Sequence, residues 1–294
     1  MNTLYPKRRR KTRLHRFTAF DFVIYGIMLF SLAVCLIPFL NMFALSFSST
    51  RAIYNGQVGI WPVDFSIEAY DKIFHHPSFF RSYGNTLFYT SAGTFISLFS
   101  SVIFAYPLSK FFLRGHALVM KMVVFTMFFA GGLIPNYLLI TSLGMSNTPL
   151  AILIPGAISA YNLIILISFF KGLPSELEDA ALIDGLGYYG ILFRIVVPLS
   201  GAVLATIGLF CVVGFWNDWF SAMLYLKQEQ YPVMLYLRSM IGGVATDMES
   251  TDRLSIGIAL KAAVILVSSL PLIILYPVLQ RFFVSGLTIG SLKG

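Results

Sequence analysis

Long apolar runs separated by short polar breaks dominate this chain. Six runs reach the roughly 20 residues that one helical crossing of a bilayer requires. They cover about 20–45, 83–108, 117–140, 149–170, 195–225 and 256–281. Between 83 and 170 charge is almost confined to Lys110, Arg114 and Lys121, which mark a short turn. The pattern predicts an all-α transmembrane protein with six spanning helices. The first run is too long for a signal peptide and no small-residue cleavage pattern follows it, so it reads as a retained anchor. Pro135, Pro155, Pro198, Pro271 and Pro277 fall inside or beside the runs and are expected to kink them.

Composition supports the same class. Of 294 residues, 57% are hydrophobic and 12% charged, about half the charge of a soluble domain. The mean hydropathy is +0.79. Cys35 and Cys211 both lie within apolar runs and read as small buried hydrophobes. No Cys/His cluster has metal-ligand spacing, and His75-His76 reads as a solvated pair. No GxxxxGK[ST] occurs, so the chain itself is not expected to bind ATP or Mg. No set of His, Asp, Glu or Cys converges at one depth, so neither catalytic nor metal-binding residues are expected.

Charge sets the orientation. Lys and Arg mark the cytoplasmic side of a membrane protein. The tail from Lys7 to Arg16, together with Lys110, Arg114, Lys121, Lys171, Arg194, Arg281 and Lys293, puts fourteen on one side. The opposite side receives seven: Arg51, Lys72, Arg81, Lys227, Arg238, Arg253 and Lys261. Both termini are therefore expected in the cytoplasm. The basic run before the first span reads as a topology signal touching anionic lipid, with no nucleic-acid partner. Two outer loops, about 46–82 and 226–255, are large enough to hold a partner. Trp61, Trp216, Trp219, Tyr225 and Tyr231 lie near outer span ends, as an aromatic belt would.

One cytoplasmic segment stands apart. Residues 176–184 hold four of the chain's thirteen acids. Ser175 and Glu178 fit a capping box at a helix start, and Asp184-Gly185 fits a helix end with glycine in the left-handed conformation. The expectation is a helix of about two turns, a turn, and a second helix opening near Tyr188. So short a helix is marginal alone. Leu177, Ala180 and Ala181 share a face suited to a docking partner.

The spacing here resembles a known family. Permease subunits of ATP-binding cassette (ABC) importers carry Glu-Ala-Ala, three residues, Gly, nine residues, Ile, one residue, Leu-Pro. Asp179-Ala180-Ala181, Gly185, Ile195, Val197 and Pro198 fall at those positions, with Asp for the leading Glu and Val for Leu. The ending 280–294 is similar to the tail of the maltose-type permease. Trp61–Tyr70 and Phe215-Trp216-Asn217-Asp218 resemble permeases for complex or acidic oligosaccharides such as alginate.

The resemblance implies a type I ABC importer permease fold, with a basic cytoplasmic tail over 1–19 and a permease domain over 20–284. It implies a coupling helix over 175–190 and a cytoplasmic C-terminal tail over 285–294. It assigns contact with the ATPase to Glu178, Asp179, Ala180, Ala181, Asp184, Gly185, Ile195 and Pro198, and tail contacts to Gly286, Thr288, Gly290 and Lys293. The implied partners are a second permease in a heterodimer, two ATPase subunits that hold ATP and Mg, and a periplasmic or lipid-anchored solute-binding protein. The substrate would be an oligosaccharide, and the location the bacterial inner membrane.

Few ionisable residues lie within the spans, where each is costly and marks function. Asp218 and Lys261 sit at similar depths. Either they pair, or Lys261 faces the cavity and attracts a uronate carboxylate, or Lys261 snorkels to the interface. Asn217 and Tyr161 complete the candidate translocation path. The rival readings are a secondary transporter or channel, and a membrane-embedded enzyme.

Overall fold

The computed structural model describes residues 19–76, 78–110, 113–246 and 251–290. The regular elements within them are helical, joined by one isolated antiparallel bridge between Ser48 and Phe65. Three unbroken helices have the length and apolarity to cross a bilayer. They are α1 (Ala19–Ser46), α4 (Phe79–Leu108) and α15 (Thr251–Gly290). Short helices α2 (Thr50–Tyr54) and α3 (Glu68–Phe74) cap the link between α1 and α4.

The other three expected spans are broken. The run 117–140 becomes α5 (His116–Phe128) and α6 (Leu133–Ser142), bent by 117°. Gly131-Gly132 sits at the break, with Gly132 at φ 88°, a conformation open to glycine. The run 149–170 becomes α7 (Leu150–Leu153), a 3₁₀ turn at Pro155–Ala157 and α8 (Ala160–Lys171). Ile158 is extended, and the Ser159 side chain accepts from the Asn162 N–H to restart the helix.

Next comes α9 (Ser175–Ile183), turned by 73° from the segment ending at Lys171. Then α10 (Tyr188–Ile191), a π turn at Leu192–Val196 and α11 (Val197–Leu199) lead to α12 (Gly201–Asn217), with an 83° bend before it. Pro198 explains the π turn. It has no N–H for the carbonyl four residues back, and the Val197 N–H reaches Leu192 O, a five-residue step. Asp218 leaves helical conformation, at ψ 82°, before α13 (Phe220–Tyr225). Then α14 (Val233–Thr246) precedes α15.

The prolines therefore act unequally. Pro155 and Pro198 mark breaks, Pro135 lies in the first turn of α6, and Pro271 and Pro277 stay inside unbroken α15. That helix passes residue 284, where the permease domain was expected to end.

Two cores organise the bundle. One joins α4, α8, the α9–α11 corner and α12 around Leu166, Phe170, Ile191, Leu192 and Ile207. The other joins α2, α3, α14 and α15 to the near ends of α4 and α12, around Ile73, Trp216, Val233 and Leu237. Small residues on α4 (Gly93, Ser97, Ser101, Ala105) let α12 and α8 approach closely. Two expectations for aromatics fail here. Trp216 is 3% exposed and donates to Ser268 O at 2.9 Å, and Tyr225 is also buried, so neither belongs to an interfacial belt.

Candidate functional site

A cleft of about 1040 Å³ opens where three helix breaks meet: α6 with α7, the turn before α8, and the gap between α12 and α13. Tyr161, Asn162, Asn136, Asn217, Asp218 and Ser221 give it a polar lining, between apolar stretches of α6, α7 and α12. Helix breaks placed inside a bundle face backbone and short polar chains into such a cavity.

Tyr161 is 56% exposed. The Asp218 carboxylate accepts from the Ser221 N–H at 3.1 Å, and the Asn217 side chain donates to Val213 O at 2.9 Å. Deeper in the wall, Asn162 donates to Cys211 Sγ at 3.7 Å and Cys211 to Ser97 Oγ at 3.4 Å. The Phe215 ring closes the wall between Gly93 and Gly156. A Cβ built on either glycine would stand 2.6 Å or 2.7 Å from the ring.

Of the four residues expected along the path, Asn217, Asp218 and Tyr161 thus share one cleft. Lys261 does not line it. It lies exposed on α15, and among the described residues Asp218 and Lys261 form no ion pair. Asn136, Asn162 and Ser221 escaped the sequence reading. The signal available was Ser159 three residues before Asn162, a helix start inside an apolar run.

The segment leading into α14 is strapped down. Asn85 donates to Glu229 O and Tyr231 O at 3.0 and 3.2 Å, Tyr89 to Gln230 O at 3.0 Å, and the Val233 N–H to Thr86 Oγ1 at 2.7 Å. These bonds tie the approach to α14 onto α4. One turn into α14, Arg238 lays its guanidinium over the Trp219 ring, 3.8 Å from the centroid.

The second site is the α9 corner. Gly185 stands at φ 84°, with the Leu186 N–H bonded to Ala181 O at 2.9 Å. This is the helix end expected from Asp184-Gly185, and α10 opens at Tyr188 as the sequence predicted. The helix start is different. Pro174 occupies the cap position with no side-chain cap bond, and Ser175 is the first helical residue. The capping box is therefore absent. Both oxygens of Glu178 instead take Lys110 Nζ at 2.5 Å, with the two side chains 15% and 19% exposed. Lys110 also lies over the Tyr106 ring, 5.1 Å from its centroid. An ion pair of two charged groups in a partly desolvated site outweighs a carboxylate bond to a single backbone N–H at an exposed helix start.

The expected docking face divides as well. Ala181 is 4% exposed and packs into the first core, whereas Leu177, Ala180 and Ile183 point outward. Asp179, Asp184 and Pro198 are exposed and Ile195 is half-buried. Gly286, Thr288 and Gly290 lie on the last turns of α15, and Lys293 lies outside the described residues.

No family model matches the chain, but full-length relatives do. A helical bundle with broken spans around a polar cleft and a turned helix at one end defines a membrane permease. The chain belongs to the permease family of ABC transporters, in its carbohydrate-importing branch. It is 40% identical over 269 residues to protein LplC of Bacillus subtilis, covering 89% of this chain and 90% of that one. It is 39% identical over 281 residues to the polygalacturonan/rhamnogalacturonan transport system permease protein YtcP of Bacillus subtilis, covering 94% and 98%. A chain of a crystallised bacterial ABC transporter involved in import of the acidic polysaccharide alginate superposes with a TM-score of 0.81. It is 34% identical, over 91% of this chain and 99% of that one. The protein is thus a transport subunit, and the secondary-transporter and enzyme readings give way.

Proposed function

We propose that this chain forms half of the translocation pathway of an importer for uronate-bearing oligosaccharides in the bacterial inner membrane. A second, related permease completes the pathway, and a solute-binding protein delivers sugar to the α2, α3 and α14 end. Two partner ATPase subunits, which hold the ATP and Mg, grip α9 in the cytoplasm, where both termini also lie. The relatives support this substrate class: polygalacturonan and alginate are both acidic polymers.

One observation carries the mechanism. Helix α9 turns away from α8 by 73° and leaves Leu177, Ala180 and Ile183 bare, while Ala181 and the Glu178–Lys110 pair fasten its other face to the spans. A handle of this kind transmits force, because its inward side cannot slip when its outward side is pulled. In this reading Asp179, Ala180, Asp184 and Gly185 meet the ATPase, Ile195 and Pro198 stiffen the corner, and Gly286, Thr288, Gly290 and Lys293 reach the ATPase from the C-terminal end. Glu178 and Ala181 act inside the permease as anchors. Tyr161, Asn217 and Asp218 present aromatic, amide and carboxylate groups to sugar hydroxyls, whereas Lys261 stays outside the cleft.

The test is Gly185→Asp in the reconstituted importer. A side chain at φ 84° strains the corner, so the variant is expected to insert and assemble while sugar no longer stimulates ATP hydrolysis or enters. Uptake at the wild-type rate would overturn the role of α9.

A further inference from the structure

An acidic oligosaccharide carries a carboxylate on many of its rings, and burying an unpaired carboxylate is costly. The cleft supplies hydroxyls, amides and aromatic faces, and among the described residues the one charged group in its lining is the Asp218 carboxylate. That acid accepts bonds from sugar hydroxyls but repels uronate. Within this chain, the positive group for this substrate has to come from beside that lining.

Arg238 is in place to supply it. Its guanidinium rests on Trp219, its side chain is exposed, and no carboxylate pairs with it among the described residues. Stacking fixes the guanidinium plane and leaves its N–H edge open, which is the geometry of two-pronged carboxylate binding. Trp219 follows Asp218 directly and packs in one cluster with Ile152, a residue of the cleft wall. The strap from Glu229 to Val233 holds the start of α14 against α4, so Arg238 is positioned before any sugar arrives. Arg238 contacts the residue that follows Asp218, so a positive and a negative group flank the same turn. A chain sliding past would turn carboxylates toward the first and hydroxyls toward the second.

We propose that Arg238, laid on Trp219, is a carboxylate-binding subsite at the outer mouth of the cleft, taking the uronate groups of the incoming oligosaccharide. The assignment rests on the uronate reading above, and the experiment separates the two. The complete importer in proteoliposomes, with saturating binding protein, is given galacturonate or alginate oligosaccharides and, in parallel, their carboxyl-reduced neutral forms.

Arg238→Met keeps an unbranched chain over Trp219 and removes the charge. Uptake of the acidic sugars is expected to fall about tenfold, the scale of one lost charge-assisted contact, and that of the neutral forms less than about twofold. Arg238→Lys, which restores charge without the planar fork, recovers part of the acidic uptake. Equal losses for both sugars show that Arg238 merely braces α14, and unchanged uptake of both shows that it is idle. Either result overturns the subsite. A wild-type importer that moves only the neutral forms overturns the uronate reading, and the subsite with it, before any variant is compared.

Discussion

Glu178 and Lys110 stand 68 positions apart in the chain, yet their pairing decides how α9 is mounted. The sequence shows an acid three residues after a serine, and the local rule reads it as a cap. The partner that claims this acid sits at the far end of another span, beyond the reach of any local rule. Removing one member of such a pair costs more than losing an exposed ion pair and less than breaking a fully buried one. Lys110→Met is therefore expected to destabilise the protein by on the order of 2 kcal/mol. Lys110→Met with Glu178→Leu should recover most of that, and thermal unfolding in detergent measures both.

Tyr236 poses a different problem at the same scale. Its hydroxyl is buried without a hydrogen-bond partner among the described residues, and burial pushes its pKa from 10.0 up to about 12. The neutral form is the one the fold favours. Its contribution to stability is thus complete below pH 10 and lost as the pH rises through about 12. Tyr236→Phe is expected to leave stability unchanged or raise it by up to about 1 kcal/mol. It should also flatten the fall in melting temperature across that alkaline window.

The helices show what apolar pattern does and does not specify. Runs of about 20 residues coincide with three unbroken helices and three bent helix pairs among the described residues, because only length and apolarity are needed for that. The breaks in three of them were harder to foresee. Gly131-Gly132 and Pro155-Gly156 were visible, but glycine and proline also occur in unbroken spans, and Pro271 and Pro277 prove it. The breaks at Pro155-Gly156 and Asp218 border the cleft, a property of the packed bundle that no local pattern carries. Phe215 is a case in point, since its ring fills space that both Gly93 and Gly156 leave open. Gly93→Ala is expected to push that ring and lower stability by about 1–3 kcal/mol, the usual cost of overpacking. Adding Phe215→Leu should relieve most of the loss. Equal melting temperatures for wild type and Gly93→Ala would show that the ring moves freely.

At the scale of the whole molecule, the class was legible from composition, the family from a spacing of twenty residues, and the cleft from neither. Asp218 stands out by charge and depth and Tyr161 as an aromatic, and both line the cleft. Lys261 was singled out on the same grounds and falls outside, because depth along a span says nothing about which way a side chain faces. The strap onto α4 depends on bonds between segments more than a hundred residues apart, and the Arg238–Trp219 stack joins two separate helices, so no local pattern along the chain reaches either.

One feature of the first core has a mechanical result. Ala181 beneath the handle and Cys211 in the cleft wall belong to the same close-packed cluster, and protein interiors scarcely compress. Between the two there is no soft layer to absorb a displacement. A push delivered at the base of the bundle would arrive at the cleft as movement, in the manner of a piston rod.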